Sequence, residues 1–256
     1  MAKQFPDKLK GCKAAGRGPE RSAVVRQRPS PPFDVAGGWT EQTIALPKYS
    51  FEVLLPADPD CVLEAQLEVE QANEGADATA AGDPYWAALW CSAGPTAEAV
   101  LRARWRGEDR AMEIGCGMGL VGLAALARGM QVTFSDHVPQ AIELALHNAR
   151  RNGFCTARGA RIDWRAPPQI PPAQSYAVIL ASDILYHRGS HEPILNTVDR
   201  FLADDGVCWI GDPGRFNSRD FLRVASRRFD VQLWDQAGQL LSAPRSAQYQ
   251  MFVLRR

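Results

Sequence analysis

The chain has 256 residues, 46% hydrophobic and 23% charged, which is enough apolar material for one α/β domain with extensions or two small domains. Its 29 basic and 29 acidic residues cancel, so the molecule as a whole advertises no polyanion partner and nucleic acid is disfavoured. No apolar run approaches the roughly 18 residues of a membrane helix and no secretory core opens the chain; a cytoplasmic protein without a membrane partner is expected.

Cys12, Cys61, Cys91, Cys116, Cys155 and Cys208 are scattered with no CxxC pair, a pattern of reduced thiols rather than of disulfides or zinc. His187 and His191 are spaced to share a helix face, but no third ligand lies close by and no metal is expected.

Residues 1–34 form a basic arm. Lys3, Lys8, Lys10, Lys13, Arg17, Arg21, Arg26 and Arg28 stand against Asp7 and Glu20, and few apolar side chains are available to offset ordering entropy, so disorder is expected. A folded domain is expected over 35–256. Within 35–82, "TIALPKYSFEVLLP" reads as edge strands or a hairpin, "DPDCVLEAQLEVEQA" as a short acidic helix and "NEGADATAAGD" as a small-residue loop. The core runs over 83–256 and opens with "DPYWAALWCSAGPTAEAVLRARW", whose Tyr85, Trp86, Leu89 and Trp90 have the spacing of one helical face. Such a face packs into a core or walls a ligand.

A strict alternation follows. Strand "RAMEIG" leads to helix "GLVGLAALARG", strand "QVTFSD" and helix "VPQAIELALHNARRNG", whose last glycine suits a C-cap. A short strand around "ARIDW", a proline-rich loop "RAPPQIPPAQ" and the apolar strand "SYAVILASD" come next. Helix "EPILNTVDRFLADDG", strand "VCWIGD", helix "SRDFLRVASRRF" and strands "VQLWD" and "QYQMFVLRR" complete the chain. Alternating strands and amphipathic helices predict an α/β, doubly wound, mostly parallel sheet. The two closing strands have no helix between them and should pair antiparallel.

The loop after the first core strand carries two fingerprints. From Gly117 it reads G-M-G-L-V-G, a dinucleotide pattern; from Glu113 it reads E-I-G-C-G-M-G. In both, Gly115, Gly117 and Gly119 let the backbone turn and approach a nucleotide, and Asp136, closing the next strand, is placed to accept from ribose hydroxyls. These residues point to an adenosine-type ligand without naming it. Three features separate the readings. Glu113 offers a carboxylate to a cationic amino group, such as the methionine end of S-adenosylmethionine, where a pyrophosphate would meet the wrong charge. Asp163 and Trp164 offer an acceptor and an apolar wall to adenine. The antiparallel finish is unlike an ordinary dinucleotide domain.

On these residues the chain resembles a known group. "EIGCGMGL" is similar to the first motif of the class I, seven-β-strand methyltransferases and "VTFSD" to their second-strand acidic motif. "DPYWAALW", "RIDW" and "ASDILY" together resemble methyltransferase family 16, which contains many protein-lysine methyltransferases and is marked by Asp-x-x-Tyr, here Asp183-Ile-Leu-Tyr186. The resemblance runs from about Trp39 to the C-terminus. It implies a Rossmann-like, seven-stranded sheet with an antiparallel C-terminal strand, S-adenosylmethionine as cofactor (S-adenosylhomocysteine as product), and a protein, most simply lysine, as acceptor. Glu113, Gly115, Gly117, Gly119, Asp136, Asp163, Trp164, Trp86, Trp90 and Asp183 would then border the cofactor. Asp183 and Tyr186 would be catalytic, at the edge where the acceptor enters, Tyr186 through a cation–π contact. Cys91 departs from the proline common after the second tryptophan, and "CSAGP" departs from the Gly-Gly-Gln of the branch that acts on electron-transfer flavoprotein. The alternatives are a small-molecule N-methyltransferase, a non-catalytic cofactor-binding module and an NAD-dependent oxidoreductase; an RNA methyltransferase lacks its Asn/Asp-Pro-Pro-Tyr signature here.

Overall fold

The structure of the chain, a computed structural model, describes residues 30–72, 84–107, 109–166 and 175–256. The loop expected over 73–83, nearly all of the basic arm and most of the proline-rich loop lie outside the described residues.

The described chain begins with a hairpin, β1 (Trp39–Leu46) and β2 (Tyr49–Pro56), paired antiparallel. The acidic segment forms α1 (Pro59–Ala72). A short 3-10 turn, Pro84–Ala87, precedes α2 (Ala93–Arg102). Then come β3 (Arg110–Ile114), α3 (Leu120–Ala127), β4 (Gln131–Asp136), α4 (Pro139–Arg151), β5 (Arg158–Arg161) and β6 (Tyr176–Ser182). The chain continues through α5 (His191–Phe201), β7 (Leu202–Asp212), α6 (Ser218–Ala225), β8 (Asp230–Asp235), β9 (Leu240–Leu241) and β10 (Gln250–Arg255).

The large sheet has the order β5-β4-β3-β6-β7-β10-β8-β9. The pairs from β5 to β7 are parallel, and β10 inserts antiparallel between β7 and β8. The two closing strands therefore pair antiparallel as expected, because the connection between them holds no helix to carry a parallel crossover. That connection also contributes β9, a two-residue addition to β8 that makes the sheet eight-stranded rather than seven-stranded.

Side-chain alternation along the buried strands builds a core on each face. Val178 and Leu180 of β6, Val207 and Trp209 of β7, and Met251 and Val253 of β10 pack with α2, α3, α4 and the hairpin. Their neighbours Ile179, Ala181, Cys208, Ile210, Phe252 and Leu254 pack with α5 and α6. Two expected helices are revised. The aromatic segment is not one regular helix, since it holds a 3-10 turn and α2 starts at Ala93. "LADDG" belongs to β7 and not to α5, which ends at Phe201. His187 and His191 do not share a helix face: His187 Nδ1 accepts from the Gly189 amide, and His191 is buried against the Phe221 ring.

Two asparagines one turn apart, Asn148 on α4 and Asn152 at its C-cap, dock the hairpin. Asn148 accepts from the Leu54 amide at 2.8 Å and donates to the Leu54 and Met118 carbonyls at 3.2 and 3.1 Å. Asn152 accepts from the Glu52 amide and donates to the Glu52 carbonyl. The pair satisfies alternate peptide groups of β2 as a neighbouring strand would. Because Met118 lies in the glycine loop, Asn148 also ties that loop to the hairpin. Asn148→Ala strands two carbonyls and an amide in a buried site, at a cost of about 3 kcal/mol. A thermal melt should fall by roughly 6–12 °C; an unchanged melting temperature would contradict this account of the docking.

Candidate active site

The chain runs from β3 outward to β4 and β5, then returns to place β6 on the other side of β3. That reversal opens a crevice beyond the carboxyl ends of β3 and β6, where doubly wound sheets bind ligands. Its lining comes from the aromatic segment, the glycine loop, the end of β4, Trp164 and the turn after β6.

The glycine loop is shaped by three left-handed residues, Gly115, Gly117 and Gly119, with φ of +62°, +48° and +87°. At Gly115 a Cβ would stand 2.8 Å from Ile184 Cγ2 and 3.3 Å from Trp164 Cζ3, so the loop is pinched between the turns after β6 and β5. Gly119 caps α3, and a Cβ there would press on Ala145 at 2.8 Å; its role is helix packing, and it does not line the crevice.

Glu113 is buried in β3, and its Oε2 accepts from the Gly122 amide in the first turn of α3 at 2.8 Å. Gly122 makes this approach possible, because a Cβ there would stand 2.6 Å from the same oxygen. The third glycine of the G-M-G-L-V-G match thus serves a carboxylate of the chain itself. Burial pushes the Glu113 carboxyl up to about 8, against the opposing pull of the Gly122 and Val121 amides. The side chain still borders the crevice.

Asp136 closes β4 at the crevice. Its Oδ2 accepts from the Gly117 amide at 3.2 Å, and its Oδ1 accepts from Val138 and pairs with His137 Nδ1. Trp86 is buried in the wall with Phe33 against it, and Trp90 is exposed at the rim, its indole N–H donating to the Tyr85 carbonyl. Trp164 lines the floor beside Gly115.

Asp183 follows β6 with φ of +61°, a left-handed aspartate held by its amide to the Gly211 carbonyl. Its Oδ2 accepts from the Ser92 amide at 2.8 Å, just ahead of α2, and its Oδ1 accepts from Arg215 Nη2 at 3.3 Å. Burial raises its carboxyl above the ordinary range, opposed by the Ser92 amide and by Arg215. Tyr186 stands at the mouth, its ring 5.3 Å from Tyr85 in an edge-on arrangement.

The structure thus gathers Trp86, Trp90, Glu113, Gly115, Gly117, Asp136, Trp164, Asp183 and Tyr186 around one crevice. Asp163 is not brought in. Its carboxylate is turned to the amide and guanidinium of Arg165, which also hold it below the usual carboxylate range. Sequence reasoning missed His137, whose only signal was its place beside Asp136. It also missed that Ser92 and Arg215 grip Asp183, contacts that depend on the left-handed turn after β6.

Among the described lining residues there are three acidic side chains, Glu113, Asp136 and Asp183, and no lysine or arginine, although Arg215, which is not among them, pairs with Asp183. Such a lining favours a cationic nucleoside over a diphosphate. The helix N-terminus that would receive a pyrophosphate is already filled by Glu113. The residues present therefore fit S-adenosylmethionine better than NAD.

A histidine protein methyltransferase 1 homolog of Dictyostelium discoideum is 35% identical over 104 residues, covering 40% of this chain and 34% of that one. The protein N-lysine methyltransferase METTL21A of Danio rerio is 30% identical over 128 residues, covering 48% and 58%. The match spans less than two thirds of either relative. In three dimensions the chain is similar to a TehB-like SAM-dependent methyltransferase from Corynebacterium glutamicum, with a TM-score of 0.52 at 20% identity over 75% of this chain and 96% of that one, a likeness of fold. A family model described as lysine methyltransferase matches residues 85–227, more than half of the chain, and the chain belongs to that family.

Proposed function

We propose that this protein transfers a methyl group from S-adenosylmethionine to a nitrogen of a protein substrate, with lysine as the acceptor. The observation that carries the reading is the carboxylate-lined crevice without a lysine or arginine among its described lining residues, at the switch point of a methyltransferase-type sheet.

S-adenosylmethionine supplies a methyl already activated on a sulfonium, so the chain's own task is to bind, orient and exclude water. Gly115 and Gly117 leave room for the nucleoside, Asp136 accepts from its ribose hydroxyls, and Trp86 and Trp164 cover its apolar faces. Glu113 faces the cationic amino-acid end. Asp183 holds the acceptor nitrogen, and Tyr186 with Tyr85 flanks its carbon stem, a contact favourable to a cation. Asp163 would reach the ligand only by leaving Arg165, so adenine recognition is assigned to the walls instead. The relative METTL21A, named as a protein N-lysine methyltransferase, supports a protein acceptor. The free thiols of Cys61, Cys91, Cys116, Cys155 and Cys208 accord with a cytoplasmic location. Among the described residues no helix is long and apolar enough to cross a membrane.

The direct test incubates the purified protein with methyl-labelled S-adenosylmethionine and a lysate of its host. Label should enter a protein band, map to lysine by mass spectrometry, and fall at least tenfold with Asp136→Ala, as expected for losing charged hydrogen bonds worth about 1.5–3 kcal/mol. Label confined to the low-mass fraction would favour the small-molecule reading.

A second prediction follows from Glu113. In the free protein its raised pKa keeps the carboxyl largely protonated at neutral pH, and its contribution to stability is lost as pH rises through about 8. A bound ammonium beside it favours the carboxylate, so ligand binding at pH 7 should release a proton. Calorimetric titration of S-adenosylhomocysteine in buffers of different ionisation enthalpy should show this release in the native protein and not in Glu113→Gln. An identical heat in all buffers for the native protein would remove Glu113 from the ligand's cationic end.

A further inference from the structure

The loop after β7, Asp212-Pro-Gly-Arg215, is held with unusual firmness. Asp212 is fully buried, and its Oδ1 accepts from the Gly214 amide at 2.8 Å, the Arg215 amide at 3.0 Å, Ser218 Oγ at 2.7 Å and Gln250 Nε2 at 3.2 Å. Gly214 sits at φ of +83°, where a Cβ would press on backbone atoms of Arg245, Ala247 and Gln248. A loop fixed in this way delivers the Arg215 guanidinium between two carboxylates.

Neither contact is tight. Arg215 Nη2 lies 3.3 Å from Asp183 Oδ1, and Nε lies 3.9 Å from Asp212 Oδ2. A well-made charge-assisted bond is about 2.7–2.9 Å. Arg215 Nε and Asp212 Oδ2 are moreover both buried without a hydrogen-bond partner among the described residues, although they face each other. An orphaned donor beside an orphaned acceptor is costly, and a movement of about 1 Å would join them. The guanidinium thus spans the two carboxylates, Nη2 toward Asp183 and Nε toward Asp212, and a shift wholly to Asp212 would uncover Asp183 Oδ1.

Asp183 itself has one oxygen to offer. Its Oδ2 is committed to the Ser92 amide at 2.8 Å, and the turn that carries it is locked by the bond to Gly211. The Oδ1 that remains is the oxygen Arg215 covers, with Cys91 Sγ a distant 3.9 Å neighbour.

We propose that Arg215 is an exchangeable counter-ion, holding the place of the acceptor's cation at Asp183 and withdrawing toward Asp212 when a cationic acceptor nitrogen arrives. The inference rests on the reading of Asp183 as the acceptor-side carboxylate. It also defines a substrate class. An ammonium group replaces the guanidinium charge for charge, whereas an alcohol or amide would leave a buried carboxylate without its counter-ion. Arg215 is in this sense a specificity-determining residue that selects amines able to arrive protonated.

The test uses the full chain saturated with S-adenosylhomocysteine and n-butylammonium as a probe for a lysine side chain, followed through the arginine Nε–H resonances in ¹⁵N NMR. The Arg215 signal, identified by its loss in Arg215→Gln, should shift on titration with butylammonium and stay in place with 1-butanol. Arg215→Gln should bind butylammonium up to about fivefold more tightly, the scale of a partly exposed ion pair. Arg215→Lys, which restores the cation, should return the affinity toward that of the native protein. An unmoved Arg215 signal at saturating probe, or weaker probe binding by Arg215→Gln, would overturn the exchange. Methyl transfer to protein is scored separately. Its failure with an intact exchange counts against the proposed function, and a failed exchange with intact transfer counts against this inference alone.

Discussion

The hydrogen bond from the Gly122 amide to the Glu113 carboxylate decides what this fold can hold. A helix that begins just after a glycine-rich turn is an anion site by default, since its first amides and its dipole both point at the ligand. Here the place of the anion is taken from inside, by the Glu113 carboxyl of the strand that feeds the turn. The first-turn amide of α3 is thereby occupied, and the crevice that opens beside it is lined by the acidic side chains Glu113, Asp136 and Asp183 with no basic residue among the described lining. One interaction thus occupies the place where a phosphate would be received, which is the physical ground for the reading of the crevice proposed above.

The rest of the structure keeps that arrangement in place. The reversal of strand order between β3 and β6 makes the crevice, and the left-handed glycines at 115 and 117 keep it open. Trp164 and Ile184 close on Gly115 from the neighbouring turns. Asn148 ties Met118 in the glycine loop to the hairpin, so a peripheral element contributes to the rigidity of the site. Asp183 joins the ends of β6 and α2 through the Ser92 amide. Each of these contacts crosses between elements distant in sequence, which is why the site is a property of the fold rather than of any one motif.

Much of this was legible in the chain itself. The strand and helix alternation, the parallel core and the antiparallel finish followed from periodicity and connection length. The glycines at 115 and 117 and Asp136 stood where their spacing put them. The aromatic segment, read as core or as a ligand wall, is divided between the two, with Trp86 buried in the core and Tyr85, Leu89 and Trp90 along the crevice; it is not one helix, because the spacing of these residues fits a helical face equally well on paper. The partner of Asp163 was not foreseen: Arg165, two residues on, wins the carboxylate at short range. The true function of the third glycine was also hidden. A pattern of three glycines cannot tell whether the group that approaches is a ligand's phosphate or the chain's own carboxylate. Membership in the lysine methyltransferase family and the methyltransferase-like sheet agree with the geometry.

The occupied helix end can be tested directly by competition. Titrate the protein with S-adenosylhomocysteine and with NAD under the same conditions, and solve the structure with whichever binds. S-adenosylhomocysteine should occupy the crevice beside Asp136 with the bond between Glu113 and Gly122 unbroken, and NAD should not compete. A diphosphate seated on the first turn of α3, with the Glu113 carboxylate displaced, would contradict it.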